Sequence, residues 1–394
     1  MTLASDVVRV SLDVSAVPAR PAGAGQYTLA LAEALARRPD VALTLVCRTG
    51  DDGRWHLVAP AANIVAAAPN RRPARLIWEQ TALPVLLRRL PVEVHHGPHY
   101  TMPELARVPK VVTIHDLTFF EHPEWHERTK VQFFRRAIRA AAHRADALIC
   151  VSETTATRLR RLAAPAAPIH VIPHGVDHHR FGPADPGATG TGAQAPGDAA
   201  VLDRLGVRLP FVAFVGTIEP RKAVPFLVRA FDRMAGAFPD LQLVLAGSDG
   251  WGASEVTATI AAARHRHRIL RTGYVADEAV PALLRGAAAV AYPSEEEGFG
   301  LPALEALACG SPLVTTSGSA MEEVVGDAAL LVAPGDVGAL AGALDMLVRG
   351  DARLADRRAH GIAIASRHTW EACAEAHVGA YRSVVTRPGP DPVQ

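Results

Sequence analysis

Cysteine is scarce in this chain: four residues, Cys47, Cys150, Cys309 and Cys373, stand far apart in 394. They form neither a CxxC pair nor a disulfide framework, which points to a reducing compartment, the cytoplasm. An excess of charge of either sign is also missing. Lys plus Arg number 41 and Asp plus Glu 40, a formal net charge of +1. That argues against a dedicated nucleic-acid binder. No window holds 18 apolar residues free of charge, so no membrane-spanning helix is expected. Residues 1–12 lack a basic stretch running into a long apolar core, so no signal peptide is expected. What the chain does have is bulk: 49% hydrophobic and 21% charged residues can bury large cores and exclude disorder. The length exceeds one ordinary core, so two domains are expected.

Short β-branched runs alternate with longer Ala- and Leu-rich amphipathic runs, the pattern of parallel sheets covered by helices. In the first half strands are predicted at 7–14, 41–47, 92–95, 110–115, 146–151 and 168–172, with helices at 24–37, 76–90, 127–144 and 153–163. A second set begins at FVAFVG (211–216) and continues at 241–246, 268–271, 287–292, 312–315 and 329–332, ending in a helical tail over 351–383. Between the halves, GPADPGATGTGAQAPGDAA (182–200) has no apolar period and reads as a mobile linker. The expected organisation is a first domain at 1–180, a flexible segment at 181–205, a second domain at 206–365 and a final helix at 366–385. Two Rossmann-like α/β domains would place ligands at the carboxyl ends of their strands, in a cleft between the domains.

Several strand ends carry chemistry. Gly23-Ala24-Gly25 follows the first strand and opens a helix, letting a ligand approach the backbone. It is not a full dinucleotide fingerprint, since Thr28 holds the third glycine position, and a plain tight turn explains it as well. VVTIHDLTFF sets His115 and Asp116 at a strand end. His115 could bond a hydroxyl or phosphate, act as a base, or be a satisfied structural histidine. The histidines of HPEWH (His122, His126) invite a metal reading, but Pro123 follows the first and the glutamate of HExxH is missing, so no metal is expected. FVGTIEPRK brings Arg221 and Lys222 to the start of a helix, where cations oppose the dipole; a diphosphate would offset both. A solvated basic turn is the competing reading. LRTGYVAD offers backbone groups at Gly273, Tyr274 and Val275.

The most informative stretch is SEEEGFGLPALEALACG (294–310). Pro302 fits a helix start and Gly310 a helix stop. Glu297 precedes the Gly298-Phe299-Gly300-Leu301 turn and Glu305 lies about one turn into the helix, so the two carboxylates can reach one ligand from different sides. Carboxylates accept from vicinal hydroxyls, which suits a sugar at Glu297, a ribose at Glu305 and phosphates between them. Glu295 and Glu296 read as a bland acidic turn. Glu305 interrupts an apolar run and needs a buried partner.

These residues resemble those of the GT-B, family 4 retaining glycosyltransferases. Glu297 and Glu305 within GFGLPALEA match the E-x7-E motif of that family, and GAGQYT, VSETT, VIPHGVD, VGTIEPRK and TGYV follow in its order over 7–383. TIHDLTFFEHPEW and IWEQTALP resemble its bacterial mannosyltransferase branch. The resemblance implies that Glu297 holds donor-sugar hydroxyls, Glu305 the ribose and Lys222 the diphosphate. It further implies that His115 contacts the donor sugar, that Gly23 and Gly25 line the cleft, that Phe299, Gly300 and Leu301 border the phosphates, and that Gly273 to Val275 border the base. Many members carry arginine where this chain has Thr217; Arg221 is the expected replacement. No tightly bound cofactor or essential metal is implied, only a nucleotide sugar, GDP-mannose first, with a dTDP-rhamnose or UDP-sugar donor as alternatives. The acceptor would be a glycan or a lipid-linked saccharide. Arg71, Arg72, Arg75, Arg88 and Arg89 around the apolar run of 71–90 suggest contact with the cytoplasmic face of a membrane, against the competing reading of a core helix with solvated ends. Rival classes are a nucleotide-sugar epimerase or phosphorylase, a nicotinamide oxidoreductase and a silent glycan-binding module.

Overall fold

The computed structural model describes residues 7–184, 195, 197–350 and 352–385. The chain divides into two units, Met1–Gly175 with Trp370–Gln394, and Val176–Thr369.

The first unit contains β1 (Val8–Asp13), α1 (Ala24–Ala36), β2 (Val41–Arg48), α2 (Asp52–Val58), β3 (Asn63–Ala68), α3 (Arg72–Leu87), β4 (Val94–Gly97), β5 (Lys110–Ile114), α4 (Thr118–Glu121), α5 (Arg128–Arg144), β6 (Ala147–Cys150), α6 (Glu153–Ala163) and β7 (Ile169–Val171). Its seven strands run parallel in the order β3-β2-β1-β4-β5-β6-β7. Helices cover the sheet, so its central strands read as unbroken apolar runs; every residue of β6 is buried. One strand and two short helices, α2 and the four-residue α4, escape the sequence pattern. β3 is an edge strand of sequence NIVAAA, poor in β-formers, and α2 has only seven residues.

The second unit contains α7 (Asp198–Arg204), β8 (Phe211–Val215), α8 (Val224–Met234), β9 (Gln242–Ala246), α9 (Ala253–Ala262), β10 (Ile269–Gly273), α10 (Val280–Gly286), β11 (Ala289–Tyr292), α11 (Leu301–Ala308), β12 (Leu313–Thr316), α12 (Ala320–Val325), β13 (Leu330–Val332), α13 (Val337–Arg349) and α14 (Leu354–Ser366). Its parallel sheet has the order β10-β9-β8-β11-β12-β13. Both sheets thus share one doubly wound order, with direction reversing beside the first strand of each, at β1/β4 and at β8/β11. Loops leaving those paired strand ends diverge and form a crevice, the usual ligand position in such sheets.

Two departures from the sequence pattern stand out. Much of the 182–200 linker lies outside the described residues; its end is among them. There Asp198, the first residue of α7, holds Arg285 of α10 in a bidentate ion pair (Oδ1–Nη2 2.7 Å, Oδ2–Nε 2.8 Å). The helical tail read over 351–383 is two helices, the second lying where the final helix at 366–385 was expected. α14 stays with the second unit, while α15 (Trp370–Val385) belongs to the first and packs on α1 and β1 through Cys373, Ala374, Val378 and Tyr381. Among the described residues no helix is long and apolar enough to cross a membrane. In α3, Leu83 and Leu87 are core residues while Ile77 is exposed.

Candidate active site

In the second unit, the loops leaving β8 and β11 meet at the switch point. A close approach fixes the floor: a Cβ on Gly247, after β9, would lie 2.0 Å from the carbonyl oxygen of Gly216, so only glycine fits there. From Gly216 the chain passes Thr217 and enters a 3-10 turn, Pro220–Lys222. Ala223, in the left-handed region at φ 47°, then redirects it into α8. The Arg221 carbonyl accepts from the Glu295 amide at 2.9 Å, tying this turn to the loop after β11.

The side chains close the same gap. Glu297 receives Arg221 Nη1 on Oε2 at 2.6 Å and Lys222 Nζ on Oε1. Arg221 Nη2 also reaches Glu219 Oε1 at 3.1 Å. Lys222 and Glu297 are both buried. Burial alone would raise the Glu297 carboxyl, but the adjacent Arg221 and Lys222 outweigh it and hold the group at about 2. Lys222 is lowered from the usual lysine range, by burial first and the Arg221 charge second, with Glu297 opposing. The competing reading of a solvated basic turn does not describe these two cations, because Glu297 pairs with both. The bland reading of Glu296 is corrected as well: the residue is buried and its carbonyl faces Arg221.

Gly300, at φ 98°, caps α11, and a Cβ there would meet Met321 Cγ at 2.4 Å. Phe299 is buried against the His368 ring, and α11 begins at Leu301 as its proline predicts. Glu305 sits half-buried on α11. Burial pushes its carboxyl up to about 8, with Arg180 opposing and Asp277 and Asp177 adding to the rise. Arg180 is the cation whose charge opposes that rise, and its Nη2 donates to the Asp277 carbonyl at 2.9 Å. Sequence reasoning missed Arg180: it lies over 100 residues before Glu305, three positions after VIPHGVD, and nothing local links the two. At the end of β10, the Gly273 carbonyl accepts from Gly247 at 2.8 Å; Tyr274 is exposed and Val275 buried.

The first unit gathers a second set. His115 follows β5 and is buried; its Nε2 pairs with the Pro98 carbonyl at 2.8 Å, which makes Nε2 the donor. Burial lowers its basicity, so the neutral ring presents Nδ1 as an acceptor. Tyr100 packs edge-on to His115 at 5.7 Å from a strained backbone, φ 63°, and its hydroxyl accepts from the Asp116 amide at 3.2 Å. A bulky residue in that region costs about 1–3 kcal/mol and persists only where the surroundings enforce it. Tyr27, just after Gly25 in α1, packs edge-on to the same imidazole at 5.0 Å. Its hydroxyl joins Thr113 Oγ1 (3.0 Å) and His377 Nε2 of α15 (2.8 Å), while His96 bridges Thr113 and Tyr381 at 2.8 Å each. This network was illegible in the sequence because its members come from four distant segments. Gly23, at φ 49°, starts α1 at the surface. The HPEWH histidines are engaged elsewhere: His122 stacks on Trp125 at 3.9 Å and His126 bonds Thr118 Oγ1 at 2.9 Å. Among the described residues no group of three or more His, Cys, Asp or Glu is placed to hold a metal ion.

The two halves match different family models: residues 21–180 that of Glycosyltransferase Family 4, and residues 205–363 that of Glycosyl transferases group 1. The chain is a glycosyltransferase. It has the GT-B fold and is related to the enzymes of those two models. It is 29% identical over 295 residues to the O-antigen chain mannosyltransferase B of Escherichia coli, covering 73% of this chain and 74% of that one. It is 32% identical over 255 residues to D-inositol 3-phosphate glycosyltransferase 2 of Catenulispora acidiphila, covering 60% and 56%. Among solved structures, sucrose-phosphate synthase of Thermosynechococcus elongatus superposes with a TM-score of 0.77 at 22% identity, covering 96% and 99%. Anabaena HepE in complex with UDP-glucose superposes at 0.76 and 20%, covering 95% and 99%. At these identities the superpositions speak for the fold of the glycosyltransferase.

Proposed function

We propose that the enzyme moves a hexose from a nucleotide sugar onto a glycan or lipid-linked saccharide, with the donor diphosphate held at Arg221 and Lys222. The observation that carries this reading is the joining of two cations to one carboxylate at the β8/β11 switch point. A diphosphate entering there takes over the cations, and Glu297 is released to accept hydroxyls of the donor sugar. Each charge stays partnered throughout, which avoids the cost of an isolated buried ion. As the bond to the leaving phosphate breaks, charge grows on oxygens beside Arg221 and Lys222, where preorganised cations stabilise it most. Arg221 supplies the second cation that Thr217 cannot. Glu305, protonated at neutral pH, can both donate to and accept from a ribose hydroxyl, and Gly273 to Val275 border the base. In the first unit His115 presents its acceptor nitrogen to the sugar. The acceptor's proton leaves with the departing phosphate and configuration is retained.

For the donor, a UDP-sugar is the better-supported reading, because HepE, of the same fold, is solved with UDP-glucose. GDP-mannose, the donor first expected, stands second on the likeness to the E. coli mannosyltransferase. A cytoplasmic enzyme fits both donors and the four buried free thiols. The test is a thermal-shift panel of UDP, GDP, dTDP, ADP and NAD at equal concentration. A ligand at 100 times its Kd adds about 2.7 kcal/mol, so UDP should raise Tm selectively. A GDP-selective rise would replace the donor, and a rise with NAD alone would overturn the function.

A further inference from the structure

The segment IWEQTALP takes no part in the site described above, yet it buries a carboxyl group. Glu79, in the second turn of α3, is only 5% exposed. With Leu76, Thr101, Met102, Phe133 and Arg136 it lines a cavity of about 50 Å³. Its neighbour Gln80 carries the structural duty there: Nε2 donates to the Met102 carbonyl at 2.8 Å and Oε1 accepts from the Glu104 amide at 3.1 Å. Glu79 is not needed for that anchoring. It hydrogen-bonds Thr101, and burial, reinforced by the Asp13 charge and opposed by Thr101 and Arg75, pushes its carboxyl up to about 8.

The position of the cavity matters. Its wall includes Thr101, Met102 and Glu104 of the loop leaving β4, one of the two strands at the switch point of the first unit. Thr101 directly follows His99 and Tyr100, whose rings pack on His115 at 6.0 and 5.7 Å. The loop is folded tightly enough that a Cβ on Gly97 would lie 2.0 Å from the Thr101 carbonyl oxygen. A neutral carboxyl offers one donor and one acceptor, which is what a sugar hydroxyl requires. The volume suits about three or four waters at roughly 10–15 Å³ each. That is room for one projecting hydroxyl or hydroxymethyl arm, with Leu76, Met102 and Phe133 as apolar neighbours for the C–H edge.

We propose that this cavity is a saccharide-acceptor subsite in which Glu79 binds a hydroxyl or hydroxymethyl arm of the acceptor sugar. The inference rests on the transferase reading above. It is tested on the full chain by saturation-transfer NMR with methyl α-D-mannopyranoside and methyl α-D-glucopyranoside, with the Tm rise produced by UDP as a separate readout. Glu79→Ala should weaken probe binding about tenfold, and Glu79→Gln, which keeps a donor and an acceptor, should stay within about threefold of the parent. The UDP response should be unchanged in both. Should Glu79→Ala fail to fold, Thr101→Val should weaken the probes similarly. Parent-like probe binding in Glu79→Ala or Thr101→Val, no probe binding by the parent, or a Gln variant as impaired as the Ala variant would overturn the subsite. Loss of the UDP response alone in the parent, with probe binding intact and Glu79-dependent, would sink the donor reading and leave the subsite standing.

Discussion

Replacing Glu297 by glutamine removes one charge from a set of three and keeps the shape. In the parent, the carboxyl moves from 4.5 to about 2 on folding, because Arg221 and Lys222 together outweigh its burial. That displacement is worth about 3 kcal/mol at roughly 1.4 kcal/mol per pH unit. An independent route agrees: stripping one partner from a buried ion pair costs about 3–5 kcal/mol, since the survivors are left uncompensated. Here the survivors are two adjacent cations, one of them the buried Lys222. For a unit the size of Val176–Thr369, about 1 kcal/mol moves Tm by roughly 2–4 °C, so Glu297→Gln should melt some 6–12 °C lower near pH 7. The pH dependence has a definite sign. A depressed carboxyl stabilises fully above its unfolded value and loses that contribution as pH falls through the folded one. The gap between parent and variant should be flat from pH 8 to 5 and narrow between 4.5 and 2. Scanning calorimetry across that range measures it. Inorganic pyrophosphate should restore more Tm to the variant than to the parent, because an anion replaces the missing carboxylate. A variant melting within about 2 °C of the parent at pH 7 would refute the reasoning.

Three further outcomes follow from the same geometry. Lys222→Ala should lower kcat by about 10²–10³, the usual loss for one transition-state donor, with Arg221→Ala also impaired; parent-like turnover of either removes that residue from the role. Glu305→Gln should raise stability at pH 8 and less so at pH 5, because a carboxyl raised to about 8 costs stability increasingly as pH climbs above its unfolded value; an equal effect at both pH values would refute it. Gly247→Ala should destabilise by several kcal/mol, about 3 or more, since its Cβ would collide with the Gly216 carbonyl; urea unfolding reads it, and an unchanged midpoint would refute the contact.

Much of the fold was legible because parallel sheets leave a strong mark. Strands buried on both faces must be apolar throughout, so β5, β6, β8, β9, β11 and β12 announced themselves, and the helices between them showed amphipathic periods. β3 did not, because a short edge strand that is half alanine carries little signal. In the site, the spacing of Glu297 and Glu305 around a glycine turn and a proline-initiated helix could be read directly, since those residues lie within one local segment.

Sequence by itself determined where the buried strands and the longer helices lie, which strand ends carry small or charged residues, and that Arg221 and Lys222 stand at a helix start. Tertiary structure alone decided who partners whom. It set the identical doubly wound order of both sheets, which joins the β8 and β11 loops and so pairs Arg221 and Lys222 with a carboxylate some 75 residues away. It placed Arg180 near Glu305, brought His377 and Tyr381 of α15 under Tyr27 and His96, and enclosed Glu79. Local spacing fixes backbone conformation over a few residues, but charge compensation and burial depend on contacts across whole sheets. That is why the carboxylates could be named from the sequence and their ionisation could not.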